Sequence, residues 1–537
     1  MTTSPGAQRR TAPRRPRTAL VVGGGVAGLT AARDLARAGL RVTLVEASDH
    51  FGGAVGAHEV AGLVLDSGAE SFATRSEAVP DLLEELGLSD RVVTPNPAGS
   101  WLQLPEGAVP APKSGVLGIP ADPTAPELRK PLGRAGVARA RMDRALPARV
   151  GAGERSIGGL VRARMGQRVL DRLVTPFVSG VYSTHPDELD VDAVAPGLRA
   201  RLRELGSLGA AAGALRTASP AGANVAGLDG GMNLLSERLV RDAERLGVKL
   251  VTRYDVIALD RDPRRPGWMV IQRQPVNGDK TAVARGELLV MATDGPTTVR
   301  LLGTQVSDVQ NFTPRSGPRI ALATLVLDCP ALDSAPRGTG LLVSDDVREV
   351  RAKALTHATA KWKWVAREAG EHRHVVRLSY GRATPRGSGP SPEVTLEDKH
   401  LISLALGDAS TLLGVPIEPK QLVGADVVRW HTALPRTDAG HSARVTGFRR
   451  ALKDVPDAAA VGAWLSGTGL AAVVADTRHQ VRTLLKHHGF DVTPNWGTAA
   501  RGTEPCDVVR AARAVPPGTR TTEREQNEKS KGSTHDE

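Results

Sequence analysis

Residues 18–32 read Thr-Ala-Leu-Val-Val-Gly-Gly-Gly-Val-Ala-Gly-Leu-Thr-Ala-Ala, and this stretch narrows the fold of the 537-residue chain more than any other. Gly23, Gly25 and Gly28 make a G-x-G-x-x-G directly after the apolar run Ala19–Val22, with Gly24, Val26 and Ala27 between them. The segment Leu29–Ala38 follows, Gly39 stops it, and Arg41–Glu46 resumes β character. The order is strand, glycine turn, helix, strand. In such a unit the first glycine allows a tight turn, the second lets backbone approach a pyrophosphate, and the third permits close packing of helix on strand. The helix N-terminus then presents unpaired N–H groups and the positive end of its dipole to phosphate. Glu46 stands where a carboxylate accepts hydrogen bonds from ribose hydroxyls, and it would repel a 2′-phosphate. The pattern predicts a dinucleotide-binding domain that favours FAD or NAD over NADP.

Length allows two or three hydrophobic cores. Cys329 and Cys506 are far apart, so there is no disulfide framework, CxxC pair or cysteine metal site, a usage that fits a reducing cytoplasm. The arginine- and proline-rich N-terminus lacks an apolar segment before the first strand, which argues against secretion or twin-arginine export. No uncharged apolar stretch reaches bilayer-spanning length. The formal charge is +12, but residues 1–17 hold five Arg and no acid, and residues 515–537 hold four bases against five acids, leaving +8 on the body. Nothing resembles a nucleic-acid module. The excess charge reads as solvated surface, with a basic pocket for a polycarboxylate as the specific alternative.

Residues 1–17 and 489–537 read as disordered tails. Between them, cofactor-domain signals come in three blocks, 18–100, 225–303 and 441–488, separated by 101–224 and 304–440. In the second block Leu228–Leu239 reads as a glycine turn feeding a helix, and 248–252 and 287–293 are buried-strand patterns. The third block contains the long helical run Leu470–Leu485. His374–Tyr380 alternates apolar and polar residues as a half-exposed strand would. The economical architecture is α/β, a Rossmann-type FAD-binding domain interrupted by an α+β substrate-binding domain.

From Glu46 onward a family pattern emerges. Glu46–Gly53 followed by Leu65–Phe72 resembles the second block of flavin amine-oxidase-like enzymes, an acid, a glycine pair, then acid-x-glycine. Gly52 and Gly53 would let backbone approach the pyrophosphate, and Gly68 and Ala69 would do the same near a flavin ring, which shifts the choice toward FAD. Ser156–Leu189, where a helix leads into Pro176-x-x-x-Gly180-Val181-Tyr182, resembles the bacterial oxygen-dependent porphyrinogen oxidases of haem synthesis. Gly231–Leu239, the block from Trp430 through Pro435 and Gly440-His441 to Arg444-Val445, and Gly462–Leu470 before Arg478 belong to the same pattern. The resemblance covers residues 18–488. It is similar to the coproporphyrin-forming branch of that family, the coproporphyrinogen III oxidases of Gram-positive bacteria, beside the protoporphyrinogen oxidases.

The resemblance implies oxidation of coproporphyrinogen III to coproporphyrin III in three two-electron steps, with O2 as acceptor and H2O2 as product. It implies FAD contacts at Gly23, Gly24, Gly25, Val26, Ala27 and Gly28, at Glu46 and Ala47 by the ribose, and at Ala54 after the glycine pair. Gly68, Ala69, Glu70 and Ser71 would line the cofactor further in, and Val256 would offer backbone groups to adenine. Trp430, Thr468, Gly469 and Leu470 would lie by the isoalloxazine, with the helix from Leu470 aimed at the flavin's electron-rich edge. No metal and no catalytic base is implied. The expected partners are the porphyrinogen, O2 and haem-pathway enzymes such as ferrochelatase, without nucleic acid. The expected location is the cytoplasm, with at most peripheral contact at the inner face of the membrane.

The sequence departs from the family at several places. Where the family often has Arg before the glycine pair and a basic or bulky residue after it, this chain has His50 and Ala54; Pro435-Arg436-Thr437 stands for Pro-Gln-Tyr, and Gly469-Leu470-Ala471 stands for Gly-Ile-Pro. Asp476-Thr477 occupies positions where small residues are common. These changes leave open protoporphyrinogen IX as substrate, an amine-oxidase-like activity, or an FAD-binding scaffold without turnover. Four propionates on the substrate call for cations at a cavity mouth. Arg162, Arg164, Arg168 and Arg172 are candidates, although a solvated helix face explains them too; Lys361, Lys363 and Arg377 are others. His185 reads as a turn residue and His441 as structural or functional alike. Residues 206–215 read as a buried or flexible connector, with an interfacial helix as the alternative.

Overall fold

The apolar runs Ala19–Val22 and Leu288–Met291 have no polar face and so need cover on both sides, as parallel sheets provide. The computed structural model describes residues 15–112, 115–217, 225–272, 283–306, 308–382, 390–432 and 434–492. It places these runs side by side in a five-stranded parallel sheet ordered Lys249–Val251, Arg41–Val45, Thr18–Val22, Leu288–Met291, Ala458–Ala460. The helix Val26–Arg37 packs against helices Asn233–Arg245 and Leu470–His487. A buried ion network joins them: Arg33 donates to Asp242 at 2.5 Å and to Glu85 at 2.6 Å, and Arg478 reaches the same Glu85 at 2.6 and 2.9 Å. An antiparallel meander, Val256–Arg261, Trp268–Gln272 and Val283–Gly286, stands between the sheet's later strands in the chain.

A second sheet of seven strands runs Leu422–Trp430, Ile320–Asp328, Arg373–Tyr380, Ala354–His357, Gly340–Val343, Trp101–Leu104, Gly107–Pro110. It is antiparallel except where Gly340–Val343 meets Trp101–Leu104. Helices between Arg129 and Thr217 form their own core around Leu160, Val161, Leu173, Val178 and Leu198, which also takes in Leu102 and Leu104. The architecture is a Rossmann-type domain with a second, mixed α and β domain.

Two sequence readings change. Arg373–Tyr380 is not half-exposed: it lies between two strands, and Val375, Val376, Leu378, Tyr380 and even His374 are buried. Two of its polar side chains are covered because they meet partners, His374 Nε2 with Asp333 at 2.9 Å and Arg377 with Glu70 at 3.0 Å. Of the readings open for residues 206–215, the structure has the buried one. Leu208–Thr217 is a helix whose Leu208, Ala211 and Ala212 join the helical core, and Gly209 and Gly213 face Ala121 closely. The predicted tails lie outside the described residues except at 15–17 and 489–492, and Arg17 is tied in by its N–H to Glu287 at 2.6 Å. Among the described residues no helix is long and apolar enough to cross a membrane.

Candidate cofactor site

The glycine turn is built by exclusion. A Cβ on Gly28 would stand 1.8 Å from the Gly23 carbonyl oxygen, so only glycine lets the helix come this close to the strand. Gly25 is the opposite case: a Cβ there would meet nothing within 4 Å, because the position faces open space. The second glycine pair braces the first, with Gly52 N–H donating to Gly24 O at 2.9 Å. Glu46 holds the turn from the other side. Its Oε2 accepts from Gly24 N at 2.6 Å and its Oε1 from Ser48 N at 2.9 Å. Ser48 Oγ donates to Oε1 as well, at 2.8 Å, and a carboxylate has about four lone-pair sites, so capacity remains for one ribose hydroxyl.

The open space beside Gly25 is a cavity of about 360 Å³. Two helices aim their N-termini at it, Val26–Arg37 from Gly25 and Leu470–His487 from Gly469, and neither N-cap glycine supplies a capping side chain. Their first N–H groups and positive dipole ends are therefore available to an anion or to charge developing on a ring. A third helix, Gly295–Leu302, is capped instead by Asp294, which accepts from Thr297 N at 2.8 Å. A backbone-lined, largely apolar hollow with uncapped helix ends suits FAD: Gly25 and the Val26 helix would take the pyrophosphate, and Ala54, Ala69 and Ser71 with the Leu470 helix would take the flavin.

The structure sorts the residues singled out in the sequence. Gly25, Val26, Ala27, Ala54, Ala69, Ser71, Thr468, Gly469 and Leu470 line the cavity. Gly23, Gly24, Gly28 and Glu46 shape the turn behind it. Ala47 is exposed, and Val256 is buried at the start of its strand. Gly68 is pressed against Ala54 O, 2.3 Å from where a Cβ would be. Trp430 does not line this cavity; it stands behind Gly68, donates Nε1 to Ser67 O at 3.3 Å, and faces a different hollow. The Glu70 side chain turns away from the cavity to Lys361 and to Arg377 at 3.0 Å. Burial alone would raise this carboxyl, but the two cations outweigh it and hold it at about 2. Nearby Asp66 is raised by burial to about 6, against the N–H groups of Met232 and Asn233.

The cations proposed for propionates are mostly engaged elsewhere. Arg164 is fully buried on Asp143 at 2.6 Å, Arg162 pairs with Asp187, Arg172 with Glu106, and Arg168 donates to Leu132 O. Lys361 and Arg377 share Glu70. The cations that do line the cavity are Arg315, half exposed and 3.5 Å from Asp438, and Arg436, paired with Glu188. Sequence reasoning missed Arg315, and with it Ala292–Pro296 and Pro314. Asp294 with Pro296 directly after a buried strand is a helix-start signal, and ligands in α/β sheets sit at such strand ends. His185 caps the turn Pro186–Glu188, and His441 is buried, its pKa lowered by desolvation.

A Rossmann sheet carrying a G-x-G-x-x-G turn, a glutamate at the end of its second strand and a cavity between two uncapped helices defines an FAD-dependent oxidoreductase. The chain belongs to the flavin containing amine oxidoreductase family, which matches residues 26–457. It is 32% identical over 481 residues to the coproporphyrinogen III oxidase of Mycobacterium tuberculosis (strain ATCC 25618 / H37Rv), covering 88% of this chain and 98% of that one. It is 26% identical to the coproporphyrinogen III oxidase of Bacillus subtilis (strain 168), covering 84% and 94%. Among solved structures, a putative protoporphyrinogen oxidase from Exiguobacterium sp. 255-15 is similar with a TM-score of 0.73 and 25% identity, over 88% of this chain and 99% of that one. Putrescine oxidase shares the fold at a TM-score of 0.59 and 16% identity, over 88% and 98%.

Proposed function

We propose that this protein oxidises coproporphyrinogen III to coproporphyrin III with O2 in haem synthesis. The observation that carries this reading is the 32% identity to a coproporphyrinogen III oxidase over 481 residues, a match too long to reflect the dinucleotide domain alone. The reaction removes six electrons and six protons from the macrocycle, and three O2 become three H2O2. When bound, FAD supplies the two-electron acceptor that O2 reoxidises. Because aromatisation drives the reaction, the protein's task is to hold a meso carbon in place rather than to supply a strong base.

The chain's own residues suit that task. The turn at Gly25 would hold the pyrophosphate end, and the helix from Leu470 would offer its dipole to charge on the reduced ring. Val26, Phe72, Pro314 and Val473 give the cavity its apolar wall, and Arg315 and Arg436 offer guanidinium groups to carboxylate arms. The product would pass to a metal-inserting enzyme such as a ferrochelatase. The test is anaerobic mixing of FAD-loaded protein with coproporphyrinogen III. Bleaching of the flavin absorbance, with recovery on admitting air, is the expected result. A flavin left oxidised by coproporphyrinogen III but bleached by a primary amine would overturn the reading.

A further inference from the structure

Three charged side chains that do not line the cavity meet behind its wall. Arg377, on the second sheet, donates to Asp66 O at 3.1 Å, to Gly68 O at 3.0 Å and to Glu70 Oε2 at 3.0 Å. Lys361, at the end of the short helix Ala358–Lys361, holds the other Glu70 oxygen. Arg377 thus grips residues 66, 68 and 70 of one segment. The Glu70 side chain points to the two cations. Ala69 and Ser71 face the other way, into the cavity.

The rest of the segment is pinned from the same domain and from the glycine pair. Trp430 donates to Ser67 O, and Ala69 N–H donates to Ala54 O at 2.8 Å. Glu70, Lys361 and Arg377 keep less than a fifth of their side-chain surface exposed. A buried ion cluster of this kind is weak evidence for stability, because desolvation offsets much of the attraction. Its geometry is more specific than its energy: one planar guanidinium bridges two carbonyls and a carboxylate, which a lysine ammonium cannot reproduce.

We propose that Arg377 is a positioning residue for the flavin, acting through the carbonyls of Asp66 and Gly68 and through Glu70, which Lys361 also holds, to set the cavity wall at Ala69 and Ser71 and so tying the second sheet to the cofactor. The inference rests on the reading that FAD occupies this cavity. Losing the guanidinium frees the carbonyls of Asp66 and Gly68, so the wall loosens while the parallel sheet stays intact.

The test compares Arg377→Gln, Arg377→Lys and Glu70→Gln with the wild-type chain, by amide hydrogen exchange on FAD-free protein and by FAD titration. Arg377→Gln is expected to speed exchange at residues 67–72 at least tenfold, without speeding it in Thr18–Val22, and to weaken FAD binding at least tenfold with a changed visible circular dichroism of the flavin. Arg377→Lys is expected to fall between, since it keeps the charge and loses the bridge. Exchange and FAD affinity equal to wild type in Arg377→Gln would overturn the proposal. If that variant does not fold, Glu70→Gln decides: faster exchange at 67–72 supports the tie, and wild-type exchange overturns it. A wild-type chain that takes up no FAD, with the exchange contrast still present, would sink the cofactor reading and leave the tie to the segment standing.

Discussion

Replacing Gly25 by valine should separate cofactor binding from folding. The backbone at Gly25 has φ −72° and ψ 179°, extended geometry that valine adopts freely, and its Cβ would enter space with no atom within 4 Å. Loss of glycine at the N-cap costs about 1 kcal/mol. Reduced freedom of the unfolded chain returns about 0.4–1 kcal/mol. The net change is within about 1 kcal/mol, a Tm shift of no more than about 2–4 °C. The same side chain blocks approach of the pyrophosphate to the turn. Two hydrogen bonds to a charged group at about 1.5–3 kcal/mol each amount to about 3–6 kcal/mol, or FAD binding weaker by about 10²–10⁴. The assay is flavin per chain after gel filtration, with a melt of the FAD-free protein beside it. Gly28→Ala is the counterpart. Its Cβ collides with the Gly23 carbonyl at 1.8 Å, so the FAD-free protein itself should lose about 3 kcal/mol or more. A Gly25→Val protein that keeps wild-type flavin, or a Gly28→Ala protein that melts like wild type, would refute this account of the turn.

Two further outcomes follow from buried charge. Arg164→Met strands Asp143 in the helical core and should cost about 3–5 kcal/mol, whereas Arg162→Ala, whose ion pair is 43% exposed on the arginine side, should cost at most about 1 kcal/mol; denaturant midpoints measure both. Asp66 has its pKa raised by burial from 3.8 to about 6, so its favourable contribution is complete below pH 3.8 and lost as the pH rises to about 6. Asp66→Asn should therefore gain up to about 3 kcal/mol at pH 8 and nothing near pH 3, and equal gains at both would contradict the assignment.

Much of the cofactor half was legible because its signals are local. The run Ala19–Val22 became the strand Thr18–Val22, Leu470–Leu485 became the helix Leu470–His487, and Glu46 ended its strand beside the turn. What was not legible depends on partners distant in sequence. Arg164 looks like its solvated neighbours, and what takes it inside is Asp143, 21 residues away, together with the carbonyls of Asp143, Leu146, Pro147 and Gly206. The alternation of His374–Tyr380 suggested a wet face, but Asp333 and Glu70 satisfy His374 and Arg377 from other elements. Arg377 resembled a substrate ligand for the same reason: its charge is visible in the sequence and its counter-charge, Glu70, is not adjacent. Arg315 joins the cavity from a loop with no local motif, so nothing short of the folded chain assigns it.

The most direct measurement is aerobic turnover of FAD-loaded protein given coproporphyrinogen III and protoporphyrinogen IX in parallel, followed by porphyrin fluorescence and peroxide release. The account predicts faster appearance of coproporphyrin, with three H2O2 formed for each porphyrin. Faster turnover of protoporphyrinogen IX would contradict the substrate assignment, and no turnover of either with flavin bound would contradict the proposed activity.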